Sequence, residues 1–486
     1  MKVLLVNPPR FNKINVTREE RCEIIDENSV LPPYSLLQIA SLLRNRGHEV
    51  SLIEANGENI DYPDIEKILS EKDYEAIIFR FTSVAFDWDI RVAAISKKYS
   101  DAPTIGICHT LECIAESVMD EAENLDIYIR HNYEVVTPEI VDKLSAGEDI
   151  SNVAGITYRN GGEIKVNIDA HPIKNYDDIP LPAYDLLKSF YNYYADVKHG
   201  QPFTIMYTSK GCPYSCIYCS VANSKWKPRS AESVLEELRY LKNNYNIKTI
   251  MFFDEIFTFD RKRVEKITQA MIEEKLNIKW YCNSRVDNID MDILKKMRKA
   301  GCKAVCMGIE SGSQKILSGA NKRTSVEKAA KAIQMVKDAG IKVYCSFIFG
   351  LPGEDRNTVN ETIDFIKRTL PTGFEFNVAA PYPGTKLYDI ALEKGRITKQ
   401  TDFRSMNQIS SIMGTEELTA EDVTKTRKMA YRALLFNPRW WIQNIVYVIK
   451  NPDDFGLAYK YCIGLFKIYS TNLIFETGLI KKTKGE

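Results

Sequence analysis

The chain has 486 residues, 44% of them hydrophobic, enough to bury two or three separate cores. Its 65 acidic and 65 basic residues cancel, which leaves no electrostatic footprint for nucleic acid. Eleven cysteines, and an opening Met1-Lys-Val-Leu-Leu-Val-Asn-Pro-Pro9 that reads as a strand running into a turn rather than a signal peptide, fit a reducing cytoplasm. From the N-terminus, residues 2–6 form a short apolar run. Residues 33–46 place Leu36, Leu37, Ile39, Ala40, Leu42 and Leu43 at helical spacing, and Gly47-His48 closes that helix. Strands are expected at 49–54, 76–79, 104–108 and 126–129, with helices at 89–99, 111–120 and 138–144. This alternation predicts a Rossmann-like, doubly wound parallel sheet over residues 1–150. Ligands of such sheets bind outside the carboxyl ends of the strands. Those ends are Asn7-Pro8-Pro9, Arg80-Phe81-Thr82-Ser83 and Cys108-His109-Thr110.

Residues 151–200 break the pattern. Ile156–Arg159 and Glu163–Val166 flank Asn160-Gly161-Gly162, a hairpin signal. A proline-rich linker follows over 172–182. Alternation resumes over 201–397, with strands at 204–208, 249–253, 279–283, 304–308, 342–349 and 374–379 and five helices between them. Six strands predict a partial (β/α)6 TIM-like barrel, whose functional residues gather where strands end and loops begin. Residues 401–413 are expected to complete the barrel edge, and 398–486 form a helical C-terminal region. Cys282, Cys302, Cys306 and Cys345 lie on barrel strands and read as small apolar core residues.

The first barrel strand runs into Thr208-Ser-Lys-Gly-Cys-Pro-Tyr-Ser-Cys-Ile-Tyr-Cys-Ser220. Cys212, Cys216 and Cys219 are spaced to hold three irons of a 4Fe–4S cube, with the fourth iron open to a substrate or cofactor. A structural zinc site wants four ligands, and no second pair of cysteines or nearby histidine is present.

This run, with the strands around it, resembles the radical S-adenosylmethionine (SAM) superfamily over roughly residues 200–395. The resemblance implies that the open iron chelates SAM and that reduction cleaves SAM to a 5′-deoxyadenosyl radical. It also implies roles for particular residues. Tyr218 fits the aromatic position before the third cysteine. Asp254 and Glu255, ending the second strand, would meet the SAM amino group, and Arg285, ending the third, its carboxylate. Gly308-Ile-Glu310-Ser311-Gly312 is similar to the ribose segment, and Phe349-Gly350-Leu-Pro-Gly353 to the adenine turn. The bland alternatives are helix-capping acids, a surface ion pair and turn glycines.

Residues 1–150 look like the cobalamin-binding domain that precedes many radical SAM proteins, with Asn7, Pro8, Pro9, His109 and Thr110 as its expected contacts. The Asp-x-His-x-x-Gly signature that supplies a cobalt-ligating histidine is absent. The resemblance therefore implies a radical SAM enzyme, with a cobalamin-dependent methyltransferase acting on an unactivated carbon as the leading expectation. A cobalamin-independent radical SAM enzyme and a non-catalytic iron–sulfur protein are the alternatives. No side chain stands out as a general acid or base. The expected partners are a small-molecule or lipid-like substrate and a reductant such as flavodoxin or ferredoxin. The aromatic and basic stretch from Trp440 to Phe475 reads either as a cap over the barrel mouth or as a peripheral membrane contact.

Overall fold

The computed structural model describes residues 1–19, 22–26, 29–195 and 200–450. These group into two compact units. One comprises Met1–Tyr193, Gln201–Glu255 and Pro381–Met406; the other comprises Tyr194–Gly200, Ile256–Ala380 and Asn407–Glu486.

The first unit opens with β1 (Lys2–Asn7), an antiparallel hairpin of β2 (Asn15–Glu19) and β3 (Cys22–Asp26), and β4 (Glu49–Glu54). Then come β5 (Ala76–Arg80), β6 (Thr104–Ile107), β7 (Ile127–Ile129), β8 (Ile156–Asn160) and β9 (Glu163–Val166). The sheet order is β4-β1-β5-β6-β7-β8-β9, parallel through β7 and antiparallel for the last two strands. Val3 to Val6 are apolar on both faces and fully buried, as a central parallel strand requires. The helix Tyr34–Arg44 lays Leu36, Ile39, Ala40 and Leu43 on the same core. Strand order reverses between β1 and β5, the place where open α/β sheets take their ligands.

The β2–β3 hairpin, absent from the sequence expectations, fills part of this crevice. Arg18 and Asp89 form a fully buried ion pair, 2.7 Å from Nη2 to Oδ1. The Arg18 guanidinium also donates to the carbonyls of Pro8 (2.9 Å) and Pro9 (2.8 Å), and Asp89 accepts from the Thr82 amide at 3.0 Å. One guanidinium thus ties the loop after β1 to the carboxylate that holds the loop after β5. Next to it, Glu54 ends β4 fully buried. Its carboxylate accepts from the Asn7 side chain and from the amides of Gly57 and Glu58.

The sequence places a helix at 138–144, but the helix spans Tyr133–Ala146. Asn132, in the left-handed region at φ 50°, starts it, and Pro138 lies inside instead of in the first turn. Burial of Tyr133, Glu134 and Val136 outweighs the proline as a boundary signal.

The barrel strands are β10 (Phe203–Met206), β13 (Thr249–Phe252), β14 (Lys279–Ser284), β15 (Cys302–Glu310), β16 (Lys342–Phe349) and β17 (Gly373–Val378). Between β10 and β13 a two-residue ladder pairs β11 (Ser209–Lys210) with β12 (Lys227–Pro228). The six long strands follow one another in chain order, which is the expected partial barrel. Along β14 and β16, half-buried and buried residues alternate. Tyr281, Asn283, Tyr344 and Ser346 occupy one face. Cys282, Val343, Cys345 and Phe347 occupy the other, where Phe347 meets Phe365 of the helix Arg356–Thr369 at 6.3 Å. Cys282, Cys302 and Cys345 are core residues as expected, whereas Cys306 is half-buried and in register with Asn283 and Tyr344 on the polar face.

Residues 401–413 add no strand. They give the edge strand one backbone bond, from the Val378 amide to the Gln408 carbonyl at 2.9 Å. The Asn407 side chain accepts from the amides of Ile409 and Ser410, each at 2.9 Å, and that local turn competes with strand pairing.

Burial raises the Glu54 carboxyl from 4.5 to about 7. A raised carboxyl pKa gives stability that is present below the unfolded value and lost as pH rises through the folded one. Raising the pH from 4.5 to 8 therefore costs the wild type about 3 kcal/mol at this site. Chemical denaturation across that range should show this loss, and Glu54→Gln should lack it. Parallel curves for the two proteins would refute the assignment.

Candidate active site

In the first unit, β10 leads into the loop that carries all three clustered cysteines. The β11–β12 ladder closes its neck, pairing Ser209 with Pro228 and Lys210 with Lys227. Gly211 turns the chain at φ +88°, where a Cβ would stand 2.3 Å from the Lys225 carbonyl oxygen, so only glycine fits. Inside the loop the Cys212 amide donates to Ser224 Oγ at 2.8 Å, and the Asn223 amide to the Tyr214 carbonyl at 2.8 Å. Cys216 is buried, Cys212 and Cys219 are half-buried, and none of the three is in a disulfide. Tyr218 is half-buried beside Cys219.

Among the described residues, no three His, Cys, Asp or Glu side chains converge as a site for a single metal ion. A cubane does not need that, because each cysteine binds a different iron and the sulfurs stand apart. Two half-buried thiols and one buried thiol on one braced loop fit such a cluster.

Two buried groups brace the neck. Asp254, fully buried at the end of β13, accepts from the Thr208 amide at 2.7 Å, from the Thr208 hydroxyl and from Ser209 Oγ at 2.6 Å. Its carboxylate therefore points back to the start of the cysteine loop. Glu255 is half-buried beside it. Lys210 reaches into the N-terminal domain, where its ammonium pairs with Glu134 and donates to the Tyr133 hydroxyl at 3.0 Å. It lies 4.3 Å from the Tyr133 ring centroid. Sequence reasoning missed Lys210, Tyr133 and Glu134; the lysine sits inside the quoted motif, but nothing local announces a partner 76 residues away.

In the second unit the strand-end segments converge on a residue the sequence reading also missed, Lys322. Its ammonium donates to Glu310 Oε1 at 2.6 Å, and its carbonyl accepts from Arg285 Nη2 at 2.8 Å. Arg285 Nη2 also lies 3.1 Å from Asp287. Register slips between Gly308 and Glu310, and Glu310 takes φ +68°. Such a bulge re-aims a side chain. Here it folds the Glu310 carboxylate over Gly308, where a Cβ would lie 2.2 Å from Oε1. Lys322 uses only Oε1, which leaves Oε2 for a second donor. Ser311 is buried, with Oγ 3.0 Å from Thr362 Oγ1. Gly350 donates its amide to Glu354, whose carboxyl burial raises to about 7.

The expected cofactor contacts of the N-terminal domain separate into two groups. Asn7, Pro8 and Pro9 spend their polar groups internally, on Glu54 and Arg18. His109 and Thr110 lie after β6 instead. Thr110 is buried, and His109 Nδ1 stands 3.2 Å from Glu112, which also meets His131 at 2.6 Å. The hydrogen bond to Glu112 raises the His131 pKa.

An open parallel sheet, a partial barrel and a three-cysteine loop after its first strand define a radical SAM enzyme. Residues 206–366 match the radical SAM superfamily. An uncharacterized methyltransferase of Pyrococcus horikoshii is 32% identical over 475 residues, 96% of this chain and 99% of the relative. The chain belongs to the radical SAM superfamily, whose cofactors are a 4Fe–4S cluster and SAM. Two solved structures share the fold. OxsB, described as a cobalamin-dependent SAM radical enzyme, has TM-score 0.71 at 18% identity over 96% of this chain and 72% of its own. TsrM from Kitasatospora setae, a radical SAM methyltransferase with cobalamin and a cluster bound, has TM-score 0.66 at 16% identity over 81% and 75%.

Removing one partner of a buried ion pair leaves the other charge uncompensated, at about 3 kcal/mol or more. Lys210→Met should therefore lower unfolding stability by roughly that amount. Adding Glu134→Leu should recover most of the loss. If the two losses simply add, the pair does not brace the loop.

Proposed function

We propose that this chain is a cobalamin-dependent radical SAM methyltransferase acting on an unactivated carbon. The observation that carries the radical half is the cysteine loop, closed by a two-residue ladder and held by Asp254 and Lys210. The methyl-transfer half is supported by the similarity to the Pyrococcus methyltransferase and by the cobalamin in the OxsB and TsrM structures. In this reading Cys212, Cys216 and Cys219 hold the cluster, with Tyr218 packed beside the third. The bound cluster supplies the electron that cleaves SAM, and bound cobalamin supplies the methyl group. Glu310 offers Oε2 to a ribose hydroxyl while Lys322 fixes Oε1. Arg285 is set for the SAM carboxylate, and the Gly350 turn, pinned by Glu354, meets the adenine. Ser311 fixes the ribose segment through Thr362. Asp254 is a positioning residue of the loop, and Glu255 is the acid left for the SAM amino group.

His109 and Thr110, in the loop after β6, are assigned to cobalamin. Asn7, Pro8 and Pro9 are not assigned as cobalt ligands: the Asn7 side chain is committed to Glu54, and the prolines have no side-chain lone pair to offer. The substrate is a small molecule, polar or lipid-like, and the electron comes from a flavodoxin- or ferredoxin-type reductant in the cytoplasm. Among the described residues no helix is long and apolar enough to cross a membrane.

Anaerobic reconstitution should yield about four irons and four sulfides per chain, and reduced protein should convert SAM to 5′-deoxyadenosine. Replacing Cys212, Cys216 and Cys219 together by Ala should abolish both; a surviving 4Fe–4S spectrum would end this assignment. Glu310→Gln should weaken SAM binding about tenfold, read by equilibrium titration. Unchanged affinity removes its role.

For cobalamin, paramagnetic resonance of the bound cob(II)alamin form should show no nitrogen superhyperfine splitting from a protein axial ligand. Observing that splitting, or finding no binding at high micromolar cobalamin, contradicts the cobalamin assignment and favours the cobalamin-independent alternative.

A further inference from the structure

The helix Pro438–Lys450 has two unlike faces. Trp440 is buried, and its indole donates to the Pro371 carbonyl at 2.8 Å. Gln443 donates to the Leu370 carbonyl at 2.9 Å and accepts from Lys337 at 3.2 Å, and the Lys342 ammonium lies 4.8 Å from the Tyr447 ring centroid. Leu370 and Pro371 precede β17, Lys337 ends the helix Val326–Asp338 before β16, and Lys342 opens β16. All of these lie at the strands' amino ends. The helix Pro438–Lys450 therefore does not sit over the barrel mouth, which is at the opposite end of the strands. Residues 451–475 of that expected cap lie outside the described residues.

Among the described residues the other face is exposed. Ile442, Ile445, Val446 and Ile449 are 61%, 56%, 43% and 72% exposed. At about 100° per residue they form a single stripe. Phe436, just ahead of the helix, is 71% exposed. Arg439 and Lys450 flank one side of the stripe and half-buried Trp441 the other, and the helix carries no acidic residue.

We propose that this face is an interfacial anchor, seating the non-catalytic end of the barrel on an anionic bilayer. A contiguous aliphatic stripe with an aromatic on one border and cations on the other is the composition that lies in the headgroup zone. Anionic lipid complements two cations that have no acid on their own helix. The reactive strand ends then face away from the membrane, so the anchor localises the enzyme without delivering substrate through this surface. This inference is independent of the methyltransferase reading.

The test is flotation of the intact chain with phosphatidylcholine vesicles and with vesicles containing 30% phosphatidylserine, on the order of the charge that draws basic segments to membranes. The wild type should float with the anionic vesicles. Ile445→Glu/Ile449→Glu should reduce the floated fraction at least about tenfold. Arg439→Gln/Lys450→Gln should reduce binding to anionic vesicles alone. Near-native circular dichroism and retained SAM cleavage confirm that the variants fold, since every substituted side chain is exposed. A wild type that stays soluble with both vesicle types overturns the proposal, as does equal flotation of the Glu variant. A concentration-dependent dimer in sedimentation that the Glu variant abolishes, with no flotation, overturns it in favour of a second copy of this chain.

Discussion

Everything about the cysteine loop depends on one buried carboxylate. Asp254 takes three hydrogen bonds from Thr208 and Ser209. A fully buried charge of this kind is tolerable only when its lone pairs are met. Those bonds come from the two residues between β10 and the cluster loop, so meeting the carboxylate's needs also sets the direction in which the chain leaves the sheet. The β11–β12 ladder then closes the neck, and the loop it encloses is held by its own amides. Geometry that would be loose on a free loop is thereby inherited from a strand, the more precise place for a reactive site.

A second consequence of burial is that the N-terminal domain and the cluster loop share a stability. Lys210 lies among the Tyr133, Tyr176 and Tyr207 rings with Glu134 as its counterion. The aromatic faces lower the cost of holding an ammonium away from water. Domain and loop cannot be tuned separately while this pair persists.

The parallel sheets, their order and the cysteine loop were legible because they rest on short-range signals: apolar runs, helical spacing and a tight motif. What escaped the sequence was the set of partners that tertiary contact creates. Nothing in the sequence around Arg18 announces that a hairpin places it against the carbonyls of Pro8 and Pro9. Lys322 lies on no motif, yet Glu310, Gly308 and Arg285 all meet it. Residues 401–413 meet the barrel edge through one backbone bond and no strand, because an Asn407 turn takes the Ile409 and Ser410 amides locally. The helix at Tyr133 began early because buried side chains outvoted Pro138. Asp254 was seen, but as a ligand-facing acid, and its orientation toward Thr208 cannot be read from spacing.

The first compact unit is discontinuous along the chain: residues 201–255 and 381–406 complete what the first 193 begin. Synthesis proceeds from the N-terminus at about 5–20 residues per second. The ribosome must therefore produce 125 intervening residues, Ile256–Ala380, all belonging to the other unit, before the last part of the first unit exists. For several seconds the nascent chain holds a first unit whose last segment, which carries the helix Lys386–Glu393, has not been made. The order of translation and the order of closure are different here, and a cell short of chaperones would meet that mismatch first.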